Sequence, residues 1–173
     1  MRNVYFIAII ICLASCKQSQ KEISKTEDFK IGLEKLVLNS KQKGIEYYVK
    51  INIPKEVLEY KMTYIGVIEN SKKEKLDFVY STIFSGVYED SKRANSIITI
   101  YKNQERLGHY YVGGGFNKTP IITENEILIN YDDDCNQSTR IIFRDSIPQK
   151  IFIHCKEENG KMLGDLYNFE KQN

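Results

Sequence analysis

The 173 residues include no tryptophan, two histidines, three prolines and four cysteines. Each scarcity removes a class of reading. Without Trp, a sugar-stacking platform loses its largest ring. His109 and His154 are too few and too far apart in sequence to argue a metal site, and no Cys-x-x-Cys spacing compensates for them. A bilayer-crossing helix needs ~20 apolar residues, and the stretch Val4 to Leu13 falls well short of that. An excess of one charge is missing too. Lys and Arg number 25 against 23 Asp and Glu, so nothing invites nucleic acid or another polyanion.

What is present starts at the N-terminus. Arg2, the apolar core Val4 to Leu13 and the small residues Ala14 and Ser15 follow the three-part layout of an export signal. Directly after them stands Cys16. The quartet Leu13-Ala14-Ser15-Cys16 resembles the lipobox of bacterial lipoproteins. The resemblance implies that the Cys16 thiol receives a diacylglyceryl group, that a peptidase removes residues 1–15 as a signal peptide, and that lipid holds the mature N-terminus on a membrane. Acyl chains contribute ~0.8 kcal/mol per buried CH₂, so two of them anchor a protein essentially permanently. The rival readings are an ordinary signal cut near Ser15, with Cys16 an incidental thiol, and an uncleaved anchor.

The resemblance covers residues 1–16 and carries no activity with it. In enteric bacteria an Asp after the lipidated Cys retains a lipoprotein in the inner membrane; Lys17 stands there, which favours the outer membrane. The run Lys17 to Glu22 lacks the acidic pattern that some bacteria use for surface display, so a periplasm-facing domain is expected. Alanine occurs only at positions 8, 14 and 94, while Lys, Ile and Asn abound, a bias that looks like that of an AT-rich bacterial genome. Removing residues 1–15 takes away only Arg2 among the charges, leaving 25 − 1 = 24 basic against 23 acidic residues.

The organisation expected is a signal peptide over 1–15, a lipidated Cys and polar tether over 16–26, and one β-rich domain over 27–173. The tether is too polar to fold alone. With Cys12 lost and Cys16 acylated, Cys135 and Cys155 remain as an even pair in an oxidising compartment, and a disulfide between them is expected. Its loop of about 20 residues would contribute ~3 kcal/mol. Two free thiols or a metal pair, with His154 beside Cys155, are the alternatives.

Phe29, Leu33, Leu36 and Val37 recur at helical spacing, with Ser24 or Thr26 as caps and Gly44 beyond the end; a first strand over Leu36 to Leu38 is the rival. From Ile45 the period becomes two. Strands are expected at Ile45 to Ile53, Leu58 to Ile68 with a bulge at Gly66, Leu76 to Phe84, Ser96 to Tyr101, Leu107 to Val112, Glu126 to Tyr131, Thr139 to Phe143 and Lys150 to His154. Leu163 to Phe169 would close the fold as an edge strand. Leu58, Tyr60, Met62, Tyr64 and Ile68 would share one face. About eight or nine short strands predict an all-β, or β-rich α+β, antiparallel sandwich or barrel with a short N-terminal helix. Read as a meander, the last three of these places Cys135 and Cys155 at one end of the sheet. Two strand spacings of roughly 9–10 Å separate them there, so the 132–137 turn must fold over to close the bridge.

Asp132, Asp133 and Asp134 could offer oxygens to Ca²⁺, but they lack the alternating ligand spacing and Gly of a calcium loop, and a solvated turn accounts for them better. Ser138 with His154 lacks the context of a hydrolase nucleophile. Gly113-Gly114-Gly115 does not open a helix, as a phosphate-cradling loop would, and reads as a turn. His109 should be packed on the strand face of Leu107 and Tyr111. In the pairs Tyr47-Tyr48 and Tyr110-Tyr111 one ring turns in and one out, which predicts Tyr48 and Tyr110 as exposed rings able to anchor a protein partner. No cofactor is implied. A non-enzymatic envelope lipoprotein that binds another protein, toxin neutralisation being one version, is the leading expectation. A small hydrolase or carbohydrate-binding module around 113–119 and 132–138, and a Ca²⁺-stabilised domain, are the alternatives.

Overall fold

The computed structural model describes residues 28–53, 56–116, 118–129 and 138–172. The lipobox with Cys16, the tether, the caps Ser24 and Thr26, the Asp132–Asp134 run and Cys135 lie outside them. The chain divides into two compact units, Met1–Leu36 and Val37–Asn173. A helix, α1, covers residues 28–40. Its period is helical, as expected, but the inward stripe is turned by about one residue. Glu34, Val37 and Leu38 are buried, while Phe29 and Leu36 are 40% and 54% exposed. Lys41, at a φ of 51°, ends the helix in the left-handed conformation.

Beyond α1 the described residues are mostly β-structure. Among them ten strands follow: β1 Glu46–Ile53, β2 Glu56–Glu69, β3 Lys75–Gly86, β4 Arg93–Lys102, β5 Glu105–Tyr111, β6 Ile121–Thr123, β7 Glu126–Ile129, β8 Thr139–Ile142, β9 Lys150–Glu158 and β10 Lys161–Lys171. Seven form a sheet in the order β1-β2-β3-β4-β5-β10-β9, and β6-β7-β8 form a second; every strand pair is antiparallel. This is the β-rich fold with a short helix that the alternation predicts. The two sheets share one core, in which Phe78, Ile98, Ile100 and Tyr110 of the large sheet meet Ile127, Ile129 and Ile141 of the small one. Phe143 packs edge-on against Phe78, with centroids 4.9 Å apart. Full burial of each such side chain stabilises by about 1.5–3 kcal/mol.

The bulges decide which residues reach that core. In β2, Tyr64 pairs with Val79 and Gly66 with Phe78, so Ile65 is an extra residue and Gly66 takes a φ of 130°. The bulge reverses the alternation. Ile65 and Ile68 enter the shared core, whereas Tyr60, Met62 and Tyr64 stay on the opposite face, so Ile68 does not share their face as the unbroken period predicts.

A second bulge corrects the tyrosine assignment in β5. Tyr101 pairs with Arg106 and Ile100 with Gly108, leaving Leu107 extra. Tyr110 consequently turns inward, with no exposure, and donates its hydroxyl to the Pro148 carbonyl; Tyr111 is the outward ring at 42% exposed. Burial drives the Tyr110 phenol well above its ordinary range. Gly108 is required where β5 lies against β10, because a Cβ there would lie 2.3 Å from the Glu170 carbonyl oxygen.

Two further expectations change. β10 is not an edge strand: it sits between β5 and β9, and β9 takes the edge. β9 pairs with β10 and not with β8, so the meander through the last three predicted strands stops at β8. β6 escapes the alternation rule because three residues are too few to show a period. The β4–β5 hairpin turns at Asn103 and Gln104, whose φ values of 53° and 69° match a two-residue type I′ turn.

Candidate functional site

The core face of the large sheet continues past the small sheet as a polar shelf on β1 to β4. The registers place Lys50, Glu59, Phe84 and Ala94 in one cross-strand row and Tyr48, Lys61, Thr82 and Ser96 in the next. Glu46, Thr63 and Tyr80 form the row that borders the core. Tyr48 is 51% exposed there, as the alternation predicts.

Four charges at the outer rows of the shelf form one network. Lys92 Nζ reaches Glu59 and Glu89, each at 2.8 Å. Lys50 Nζ lies 2.9 Å from Glu89 and 3.3 Å from Glu59. The 3₁₀ turn Glu89–Ser91 brings Glu89 and Lys92 back over the strands, and the Ser91 hydroxyl accepts the Tyr88 N–H at its start. Lys92, first of all, holds the Glu59 and Glu89 carboxyls below the usual range, and these carboxylates raise both lysines.

The segment 112–116 after β5 clasps the side of the shelf. Its anchor is a triangle of buried hydroxyls: Thr82 Oγ1 donates to Tyr80 at 3.0 Å, and Ser96 Oγ lies 3.0 Å from Tyr80 and 3.1 Å from Thr82. Above it the Phe116 ring stacks on Tyr80, and its backbone N–H donates to the same hydroxyl at 3.3 Å. Gly113 lets the chain come this close. Its carbonyl accepts the Ser96 N–H at 2.7 Å, its φ is 81°, and a Cβ there would lie 2.9 Å from the Tyr167 hydroxyl. Gly113 therefore seats the loop on the sheet.

Between loop and strands lies a cleft of about 110 Å³, lined by Glu46, Lys61, Thr63, Thr82, Phe84 and Phe116 among others. Lys61 stands 3.6 Å from Glu46 and 5.9 Å from the Phe84 ring centre. On the other side of the loop a second cleft of about 240 Å³ is lined by Gly114, Phe116, Cys155, Asp165 and Tyr167. Cys155 is disulfide-bonded, and its partner lies outside the described residues.

Neither histidine lines these clefts. His109 Nε2 lies 3.4 Å from Glu170, and the His154 ring meets the edge of Phe152 while its backbone N–H donates to Thr139. Ser138 is exposed. Among the described residues no three His, Cys, Asp or Glu side chains are grouped to hold a metal ion, and no helix is long and apolar enough to cross a membrane. Of the predicted binding rings, Tyr48 belongs to the shelf and Tyr110 to the core. Alternation missed Glu59, Lys61, Lys50 and Glu89. The signal was present in the polar half of each strand, where Glu46 and Lys50 on one strand match Glu59 and Lys61 on the next. Comparison with protein-family models, curated proteins and solved structures finds no match.

Proposed function

We propose that this chain is a bacterial envelope lipoprotein, anchored through lipid on Cys16, whose β domain is a non-enzymatic binding module presenting the polar shelf to a partner protein. The quartet Leu13-Ala14-Ser15-Cys16 supports the anchor. One observation carries binding over catalysis: Lys92, Lys50, Glu59 and Glu89 hold one another in ion pairs of 2.8–3.3 Å, so each is engaged by a partner and none is left to take or give a proton. General acid–base work uses groups that titrate near the working pH. Here the carboxyls are held low and the ammoniums high. Such a network suits a preorganised, charge-patterned surface with Tyr48 as its aromatic contact. Lys17 favours the outer membrane, facing the periplasm. With Cys12 removed and Cys16 acylated, the disulfide partner of Cys155 is Cys135.

A photo-crosslinking residue placed at Tyr48, with a control at Ile142, which is 53% exposed on β8, tests the shelf. Adducts in intact envelopes to a protein other than this chain, at Tyr48 and not at Ile142, are expected. Equal labelling at both positions, or none at Tyr48, would contradict the assignment.

A further inference from the structure

We infer that β1 is a self-pairing edge, through which two copies of this chain join antiparallel about Tyr48 and run one large sheet into the next. Among the described residues β1 is paired on one side only. It is eight residues long, and its register against β2 is unbroken. Such an edge is a template for another strand unless something blunts it. Lys50, the side chain placed to do so, is drawn inward to Glu59 and Glu89.

The sequence of the strand selects the partner. In a two-fold antiparallel pairing, the residues one, two and three places before the axis meet those the same number of places after it, so facing side chains share a side of the sheet. An axis on Tyr48 sets Glu46 against Lys50 of the second copy, twice by symmetry. Tyr48 then meets its own counterpart on the shelf side, while Tyr47 meets Val49 and Ile45 meets Ile51 on the other. An axis on Glu46 or Lys50 would oppose like charges, and one on Tyr47 or Val49 would leave the charges unmatched. The run Glu46-Tyr47-Tyr48-Val49-Lys50 is thus self-complementary about Tyr48 alone.

The pairing covers what the monomer leaves open, since Tyr48 and Ile45 are each 51% exposed. Lys50 can swing to the second copy without stranding a carboxylate, because Lys92 bonds Glu59 and Glu89 by itself. The pairing does not depend on the lipid anchor, and Cys16→Ser leaves it intact.

Sedimentation equilibrium of the full chain in density-matched detergent tests it. A monomer–dimer equilibrium is expected for the native chain. Glu46→Lys, a change at an exposed side chain, should raise the dimer Kd about tenfold or more, and Lys50→Glu should do the same. An equimolar mixture of the two variants should dimerise as the native chain does, because both facing pairs are then opposite in charge. Melting curves check that each variant is folded, and Glu46→Lys suffices alone if Lys50→Glu is not. A native chain monomeric throughout the concentration series, a Glu46→Lys dimer as tight as the native one, or a mixture of folded variants that fails to dimerise would overturn the proposal.

Discussion

The Phe116 ring lies parallel on Tyr80, with centroids 5.6 Å and planes 7° apart. This stack joins the glycine loop to the shelf, and it works together with the hydrogen bond from the Phe116 N–H to the Tyr80 hydroxyl. Phe116→Ala should lower stability by about 1–2 kcal/mol, the worth of an aromatic pair plus partial burial. Urea unfolding measures it. A loss near zero would mean that the loop is not clasped to the strands.

Removing the hub of the ion network has a consequence that depends on pH. Carboxyls with lowered folded pKa values stabilise above the unfolded value near 4.3, and that contribution disappears as pH falls through the folded value. Lysines with raised values stabilise below about 10.4 and lose the contribution as pH rises through their folded values. Lys92→Met should therefore melt below the native chain across roughly pH 5–10, with the gap closing on acidification past the carboxylate range. A gap independent of pH would assign Lys92 a packing role instead.

Tyr110 and Tyr48 should respond oppositely to chemistry and to mutation. Tyr110→Phe leaves the Pro148 carbonyl without its donor and should cost about 1–3 kcal/mol by urea unfolding. Tyr48→Phe on the open shelf should cost less. Nitration of the folded chain, diluted until it is monomeric and mapped by peptide mass, should modify Tyr48 and spare Tyr110. Modification of Tyr110 before Tyr48 would contradict the inward turn of β5.

Strand existence was legible because one face of each long strand is apolar, and a period of two survives wherever pairing is regular, as in β1 and β3. Facing failed at bulges. A single extra residue at Ile65 or Leu107 flips everything downstream, and only Gly66 and Gly108 mark the spots, since each tolerates a backbone that a side chain would obstruct. The departure of β9 from the meander was illegible for a different reason: it depends on which edge is free after the sheets fold, a property of the whole chain. The shelf was half legible, because Tyr48 stands out as an aromatic on a polar face. Glu59 and Lys92 are 33 residues apart and meet only through the 3₁₀ turn at Glu89.

The cysteine pairing is open to direct mapping. Non-reducing digestion should give a single peptide linked through Cys135 and Cys155. Reduction should lower stability by about 3 kcal/mol, as expected for a loop of this length. A Cys155 linked to Cys12 or Cys16 would reject both the pairing and the lipidation of Cys16.

The most direct test is the intact mass of the chain extracted from membranes of a bacterium that expresses it. A mature protein beginning at Cys16 and carrying a diacylglyceryl adduct, which Cys16→Ser abolishes together with membrane retention, is the expected result. A chain that begins elsewhere, or a Cys16→Ser variant still held on the membrane, would contradict the lipoprotein assignment.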